Sequence, residues 1–342
     1  MDNDTNPSNP ALNVGDAKNI GGEDRIVPFH IPDLEVRGRA IQLGALVDGI
    51  LGRHNYPEPV SKLLGEVIVL TVLLGTSLKF EGKFIVQTQT DGPVSLLVVD
   101  FVTPDAVRAY ADFDDKMLAT AIEKGETSSE QLLGKGTLAM TVDQGGHMQR
   151  YQGIVALDGK SLEEVAQAYF KQSEQIPTHV RLAVAQTLTP QEDSTGTTHG
   201  STKGWRAGGV LVQFLPEAET KLTVRDISGG DAPDGSSESA HEERDDGWVE
   251  AKALVETVSD IELTDPQVGS KDLLFRLFHE RGVHAFEGPK VLDKCSCSKE
   301  RVISAVKSMS AQDIQEALQD GDIESTCQFC NATYNVIAQD LA

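Results

Sequence analysis

The first 294 of the 342 residues contain no cysteine. No disulfide can form in the bulk of the chain, and no thiolate there can hold a metal. Aromatic residues are sparse at 5%, so the core must be built mostly from aliphatic side chains. Cationic residues are outnumbered: 30 Lys and Arg against 53 Asp and Glu give a formal net charge of -23. A surface this acidic repels phosphate, which argues against a nucleic-acid partner. No G-x-x-x-x-G-K-S/T phosphate loop occurs, so no P-loop use of ATP is expected. Long hydrophobic runs are missing too. The most apolar stretch, LLGEVIVLTVLLGTSL from Leu63, carries Glu66 inside it and falls short of the roughly 20 residues that span a bilayer. It reads as a buried helix, with no membrane partner. The opening MDNDTNPSNPALNVGDAKNIGGED has neither the basic nor the apolar region of a secretory signal. A cytoplasmic protein with a disordered tail over residues 1–24 is expected. In a reducing compartment, close cysteine pairs point to metal or redox chemistry before structural disulfides.

What is present reads as α+β. PEPVSKLLGEVIVLTVLLGTSLKF predicts a long helix starting near Pro57–Pro59, apolar nearly all round and therefore deep in the fold. KFIVQTQTDGPVSLLVVDFV predicts a hairpin turning at Asp91-Gly92. Further strands are expected at GTLAMTVD, QRYQGIVAL, THVRLAVAQTL and AGGVLVQFLP. A helix at SLEEVAQAYFKQSEQ has Ser161 and Glu164 at capping-box spacing. Strands in runs with helices inserted favour α+β over strict βαβ alternation. The polar stretch QEDSTGTTHGSTKG from Gln191 reads as a loop. Ser228–Gly247 is acidic and small, with the composition of disorder. Two short helices are expected next, at DGWVEAKALVETVSD and SKDLLFRLFHE. Two more follow at SKERVISAVKSM, with Val302, Ile303 and Val306 facing inward, and at SAQDIQEALQDG. The division expected is a mixed α/β core over residues 25–216, an acidic insert and helical linker over 217–288, and a small four-cysteine zinc domain over 289–342.

All four cysteines lie in that last part: Cys295, Cys297, Cys327 and Cys330, as C-x-C, twenty-nine residues, C-x-x-C. Four thiolates can complete a tetrahedral shell around one zinc ion. A unit of about fifty residues with few large apolar side chains usually needs such a staple. Closing the long loop costs roughly 3 kcal/mol, and zinc in small structural sites contributes on the order of 10–16 kcal/mol. In an oxidised state the easiest disulfides are local, Cys295 with Cys297 and Cys327 with Cys330. Neither would hold the long loop, and neither sulfur pair could still ligate metal. Spacing alone leaves two readings open, a switch and a purely structural zinc knot.

CSCSKER followed by CQFCNATY resembles the C-terminal signature of the 33-kilodalton heat-shock chaperone family, the redox-regulated holdases of bacteria. HNYPEPV (His54–Val60), LKFEGKFIVQTQTDGPVSLLVVD, RYQGIVAL, YFKQSEQIPT, AGGVLVQFLP and LLFRLFHE are similar to the family's other blocks and stand in the family's order, from about Val36 to Ala338. The polar tail, the loop around Ser194–Lys203 and the acidic Ser228–Gly247 insert depart from it. The resemblance implies a substrate-binding core, a metastable helical linker packed on it and a zinc domain. It also implies that Cys295, Cys297, Cys327 and Cys330 are the zinc ligands of the reduced state. Oxidation under unfolding stress would then form disulfides Cys295–Cys297 and Cys327–Cys330, release zinc and unfold the linker. The active form implied is a homodimer, a non-enzymatic stress chaperone that binds unfolded or partly folded client proteins without ATP.

Other residues invite functional readings. His54 resembles a catalytic base, but a structural place in the turn before the long helix suits it better, since no partnered nucleophile is visible. His279 and His284 lie near the cysteines in sequence, yet four thiolates already fill a zinc shell. Glu66 in an apolar helix invites reading as a functional acid, but such a residue is more often paired or placed at the helix surface. Leu273, Leu274, Leu277 and Phe278, extended by Phe275, form a stripe that the linker would cover in one state and bare in another. Two other function classes compete: a thiol–disulfide oxidoreductase using C-x-x-C, and a structural zinc-ribbon interaction protein. TCQFCNATYNV reads as a ribbon turn running into a strand, not as the helix N-terminus that activates a redox thiol.

Overall fold

The computed structural model describes residues 12–13, 22–145, 150–192, 198–215, 246–319 and 321–341. Strands follow in chain order as β1 (Leu12–Asn13), β2 (Arg25–Ile31), β3 (Val36–Leu43), β4 (Lys83–Thr90), β5 (Leu96–Val102), β6 (Ala106–Asp112), β7 (Gly136–Asp143), β8 (Tyr151–Ala156), β9 (Thr178–Glu192), β10 (Thr198–Phe214), β11 (His284–Ala285), β12 (Leu292–Asp293), β13 (Ile323–Thr326) and β14 (Thr333–Val336). The helices are α1 (Ala45–His54), α2 (Glu58–Ser77), α3 (Asp115–Lys124), α4 (Ser129–Leu133), α5 (Leu162–Tyr169), α6 (Asp246–Glu256), α7 (Asp260–Thr264), α8 (Ser270–Phe278), α9 (Lys299–Lys307) and α10 (Ala311–Gln319). One sheet runs β1-β11-β2-β3-β10-β9 and a second β12-β6-β5-β4-β7-β8, while β13 and β14 form a separate hairpin. The architecture is α+β, as expected.

Helix α2 occupies the middle. Pro57 and a proline in the first turn start it, where a missing N–H costs nothing. It packs on β3, β9 and β10 of the first sheet and on β4, β5 and β6 of the second. By length and composition it could cross a membrane, but most of it is buried inside the protein. Both sheets turn apolar side chains towards it, so a helix apolar all round has no face to spare for water.

The first sheet is buried on both sides. Ile26, Ile41, Leu43, Ala207 and Leu211 face the α2 core. Their neighbours Val27, Phe29, Ile31, Val36, Ala40, Val210, Val212 and Phe214 face the other way. That second face is covered by α6, α7 and α8 through Trp248, Ala251, Val255, Leu263, Leu273, Leu274 and Phe278. Double burial explains the consecutive apolar residues Val210, Leu211 and Val212 in AGGVLVQFLP. A polar clasp holds the covering helices in register. Gln42 is 5% exposed, and its Nε2 donates to the carbonyl oxygens of Val268 at 2.7 Å, Glu262 at 3.1 Å and Leu263 at 3.2 Å.

Several expectations need correction. The loop read over Gln191–Gly204 is mostly strand: β9 runs to Glu192, β10 begins at Thr198, and they stay paired as Thr189↔Thr202 and Leu188↔Lys203. Polarity there did not mark a loop, because threonine suits an extended ladder. The helix read over SLEEVAQAYFKQSEQ has the expected box, with Glu164 N donating to Ser161 Oγ at 3.1 Å. It turns into a π-helical turn at Phe170–Glu174. Helices α1, α3, α4 and α7 escaped the sequence reading, although Asp114 and Ser259 cap α3 and α7. The tail expected over residues 1–24 lies largely outside the described residues. Of those described, Leu12–Asn13 pair with β11, and Asp24 is buried and accepts from the amide of Gly44 at 2.9 Å. The Ser228–Gly247 segment also lies outside them, except Asp246 and Gly247, which begin α6.

Glu66 on α2 keeps a partial opening to solvent but is densely surrounded. Burial raises its pKa to about 7; Lys62 opposes the rise, and Glu163, Glu130 and Asp260 add to it. The folded state therefore holds this proton more tightly than the unfolded chain does. Stability is fully present below the unfolded value near 4.5 and falls as pH rises towards 7. Glu66→Gln removes the loss. Urea melts should show the variant more stable at pH 8 by at most about 3 kcal/mol and equal to the wild type at pH 4. An equal stability at both pH values would refute this assignment.

Candidate metal centre

Strand β12 delivers Cys295 and Cys297 to the site. It pairs in parallel with β6, Leu292 opposite Ala106 and Asp293 opposite Val107. The chain then enters α9, which the extended Ser298 caps through Arg301 N. Cys327 and Cys330 occupy the tight turn between β13 and β14. Cys327 N donates to Ala332 O at 2.9 Å and Asn331 N to Cys327 O at 2.8 Å. Asn331 takes a positive φ of 56°, which asparagine tolerates better than most residues.

All four sulfurs lie within 4.8 Å of one another, and no other His, Cys, Asp or Glu group of this kind occurs among the described residues. Sulfurs approach one another across the pairs, at 3.7 Å from Cys295 to Cys327 and 3.3 Å from Cys297 to Cys330. Sulfurs about 2.3 Å from a tetrahedral zinc stand about 3.8 Å apart, so the donor set fits that ion. The module around them is thinly packed. After Lys294, only Val306 and Val336 among the described apolar residues are fully buried. Val302 and Ile303, expected to face inward, are half-buried.

The thiols differ in acidity. The Tyr334 hydroxyl, 3.1 Å from Cys297 Sγ, brings that thiol down to about 7. Burial pushes Cys330 up to about 12 and raises Cys295 as well. The Cys297 sulfur in turn pushes Tyr334 up to about 12.

The core grips the C-x-x-C turn. His54 Nε2 lies 3.1 Å from Phe329 O, Arg53 Nη1 donates to the same oxygen at 3.3 Å, and Asn331 Nδ2 donates to Arg53 O at 2.9 Å. Arg53 also pairs with Asp293. Tyr110 packs on the Phe329 ring. Burial lowers the His54 pKa and the Phe329 carbonyl opposes the shift. His54 is therefore a neutral clasp, structural as expected, but its partner is the cysteine turn and not its own helix. His279 faces Phe275 O and His284 stacks on His30, both away from the sulfurs. Leu273, Leu274 and Phe278 are buried as read, whereas Phe275, expected to extend that stripe, is 44% exposed. The grip of Arg53, His54 and Arg108 on Phe329 was not read from sequence. Only a long-range pairing brings HNYP to CQFC.

Residues 24–337 match the profile of a protein family described as Hsp33 protein. The 33 kDa chaperonin of Caulobacter vibrioides strain NA1000 is 41% identical over 317 residues, 92% of this chain and 95% of that one. That of Photorhabdus laumondii is 34% identical over 321 residues, 94% and 95% of the two chains. The crystal structure of the 33 kDa chaperonin of Thermotoga maritima superposes with a TM-score of 0.66 at 19% identity, covering 93% of this chain and 96% of that one. At that identity the likeness speaks for the fold.

Proposed function

The chain belongs to the Hsp33 chaperone family, and from that premise we propose that it is a redox-controlled holdase that works without ATP or catalysis. Its working parts are a core over residues 25–216, a linker over 217–288 and a zinc domain over 289–342. Cys295, Cys297, Cys327 and Cys330 would hold one zinc ion, which when bound supplies a single closure point for the loop between the pairs. Oxidation joins Cys295 to Cys297 and Cys327 to Cys330, so each sulfur loses its capacity to ligate. The module around Val306 and Val336 then lacks a staple. The linker helices, each short and marginal alone, come off the sheet face of Val27, Phe29, Ile31, Val210 and Val212. That apolar face takes up unfolded client proteins, and the acidic surface keeps the opened form, a homodimer, in solution in the cytoplasm. Neither nucleic acid nor membrane is among its partners.

The observation that carries this reading is the convergence of four sulfurs in a module too thinly packed to stand without them. One oxidised sample tests it. Peroxide treatment at a mildly unfolding temperature should release one zinc per chain, consume four thiols in two neighbouring disulfides by mass spectrometry, and start suppression of citrate synthase aggregation together. Cross-links between Cys295 and Cys327, or turnover in insulin reduction, would refute it.

A further inference from the structure

Arg108 stands where the core meets the cysteines. Asp100, 3% exposed, holds its guanidinium from one side through Nε at 2.8 Å and Nη2 at 2.5 Å. The two residues are cross-strand partners on β5 and β6. The other side of the guanidinium faces the C-terminal module. Its central carbon lies 4.1 Å from the centre of the Phe329 ring, and Nη1 donates to Ser296 Oγ at 3.3 Å. Burial alone would lower the Arg108 pKa; Asp100 and then the Cys295 sulfur raise it. Arg301 Nη1 donates to the same Ser296 Oγ at 2.9 Å. Two cations thus converge on the residue between Cys295 and Cys297, in a chain of net charge -23. Arg301 belongs to α9 and travels with the module. Arg108 is anchored in the core.

The charge that Arg108 faces depends on the sulfurs. Four thiolates around one divalent cation carry a net charge of about -2. Two equivalents of a peroxide take four electrons from them. Two S–S bonds form, two O–O bonds break, four protons are taken from solvent, four waters form, and the cation is freed. The resulting disulfides are neutral. Asp100 is unchanged by this, so the guanidinium keeps its core partner and loses the negative charge it faces on the module, where only the neutral contacts with Ser296 and Phe329 remain.

Resting on the redox reading above, we infer that Arg108 is the electrostatic tie that docks the C-terminal module on the core, and that oxidation unties it by abolishing the negative charge it faces. Arg108 is a positioning residue and takes no part in sulfur chemistry. The tie lies beside the strand junction. Leu292 N donates to Asp105 O at 2.7 Å and Lys294 N to Val107 O at 3.0 Å, one residue from Arg108. This junction is the downstream anchor of the linker, because β12 follows β11 by only a few residues.

The test is hydrogen exchange in the full-length, reduced, zinc-loaded protein. Truncating Arg108 alone would strand the buried Asp100 charge, so the neutral double variant Asp100→Asn/Arg108→Gln is compared with Arg108→Lys. The double variant should keep one zinc per chain. Its Leu292 and Lys294 amides should exchange about tenfold faster than in the wild type, as in the oxidised wild type. Arg108→Lys, which keeps the charge, should stay within about threefold. Wild-type exchange in the double variant, or equally fast exchange in Arg108→Lys, overturns the tie and leaves the holdase reading standing. If peroxide leaves all four wild-type thiols free, the holdase reading fails, and the untying step fails with it.

Discussion

Cys327→Ser is expected to unfold residues 295–341 in the reduced protein and leave the two large sheets intact. Burying Val306 and Val336 contributes roughly 3–6 kcal/mol, whereas a structural zinc site contributes about 10–16 kcal/mol. The metal therefore outweighs the packing of this module severalfold. Serine removes one of four ligands without changing shape, so the loss falls on the site alone. The hairpin β13–β14 and helix α9 meet only through half-buried side chains and those two valines. Helices of nine residues are marginal by themselves. Hydrogen exchange read by mass spectrometry should show α9 and the hairpin fully exchanged within a minute, while α2 keeps wild-type protection. A strong chelator acting on the reduced wild type should give the same pattern. Persistent protection of α9 without metal would mean that the module folds by packing, and that the sulfurs do not control it.

Phe278→Ala is expected to open the linker without any oxidant. Phe278 is fully buried and packs on Phe29 with ring centres 6.0 Å apart, so truncation costs about 3–5 kcal/mol. Helix α8 has nine residues and no means of absorbing that loss. Its neighbours α6 and α7 share the same sheet face, so they are expected to loosen with it. Under reducing conditions the variant should bind bis-ANS several-fold more strongly and suppress client aggregation, with zinc still bound. Phe275→Ala is the matched control: on the same helix but 44% exposed, it should change stability by less than about 0.5 kcal/mol. If Phe278→Ala opens the linker and exposes the sheet but holds no client, the apolar face behind the linker is not the client site.

Local chemistry carried much of this protein into view. The α2 run, the strand GTLAMTVD, the capping box at Ser161 and the two cysteine pairs each depend on residues close together in the chain, so spacing was enough. Alternation and apolar runs also placed β4, β5, β7, β8, β9 and β10, whereas β2, β3 and β6 were not read. Where polarity was taken for a loop, at Gln191–Gly204, the pairing of β9 with β10 supplied the order that composition did not show.

By itself the sequence determined the α+β class, the buried central helix and the four sulfurs able to share one ion, because these follow from periodicity and from short spacings. Only the tertiary structure decided which sheet face α6, α7 and α8 cover, that Gln42 gathers carbonyls between α7 and α8, and that His54, Arg53 and Arg108 hold the cysteine turn. Those contacts join residues two hundred or more positions apart. No local pattern encodes such a meeting, because it arises only when the shared core brings the two faces together.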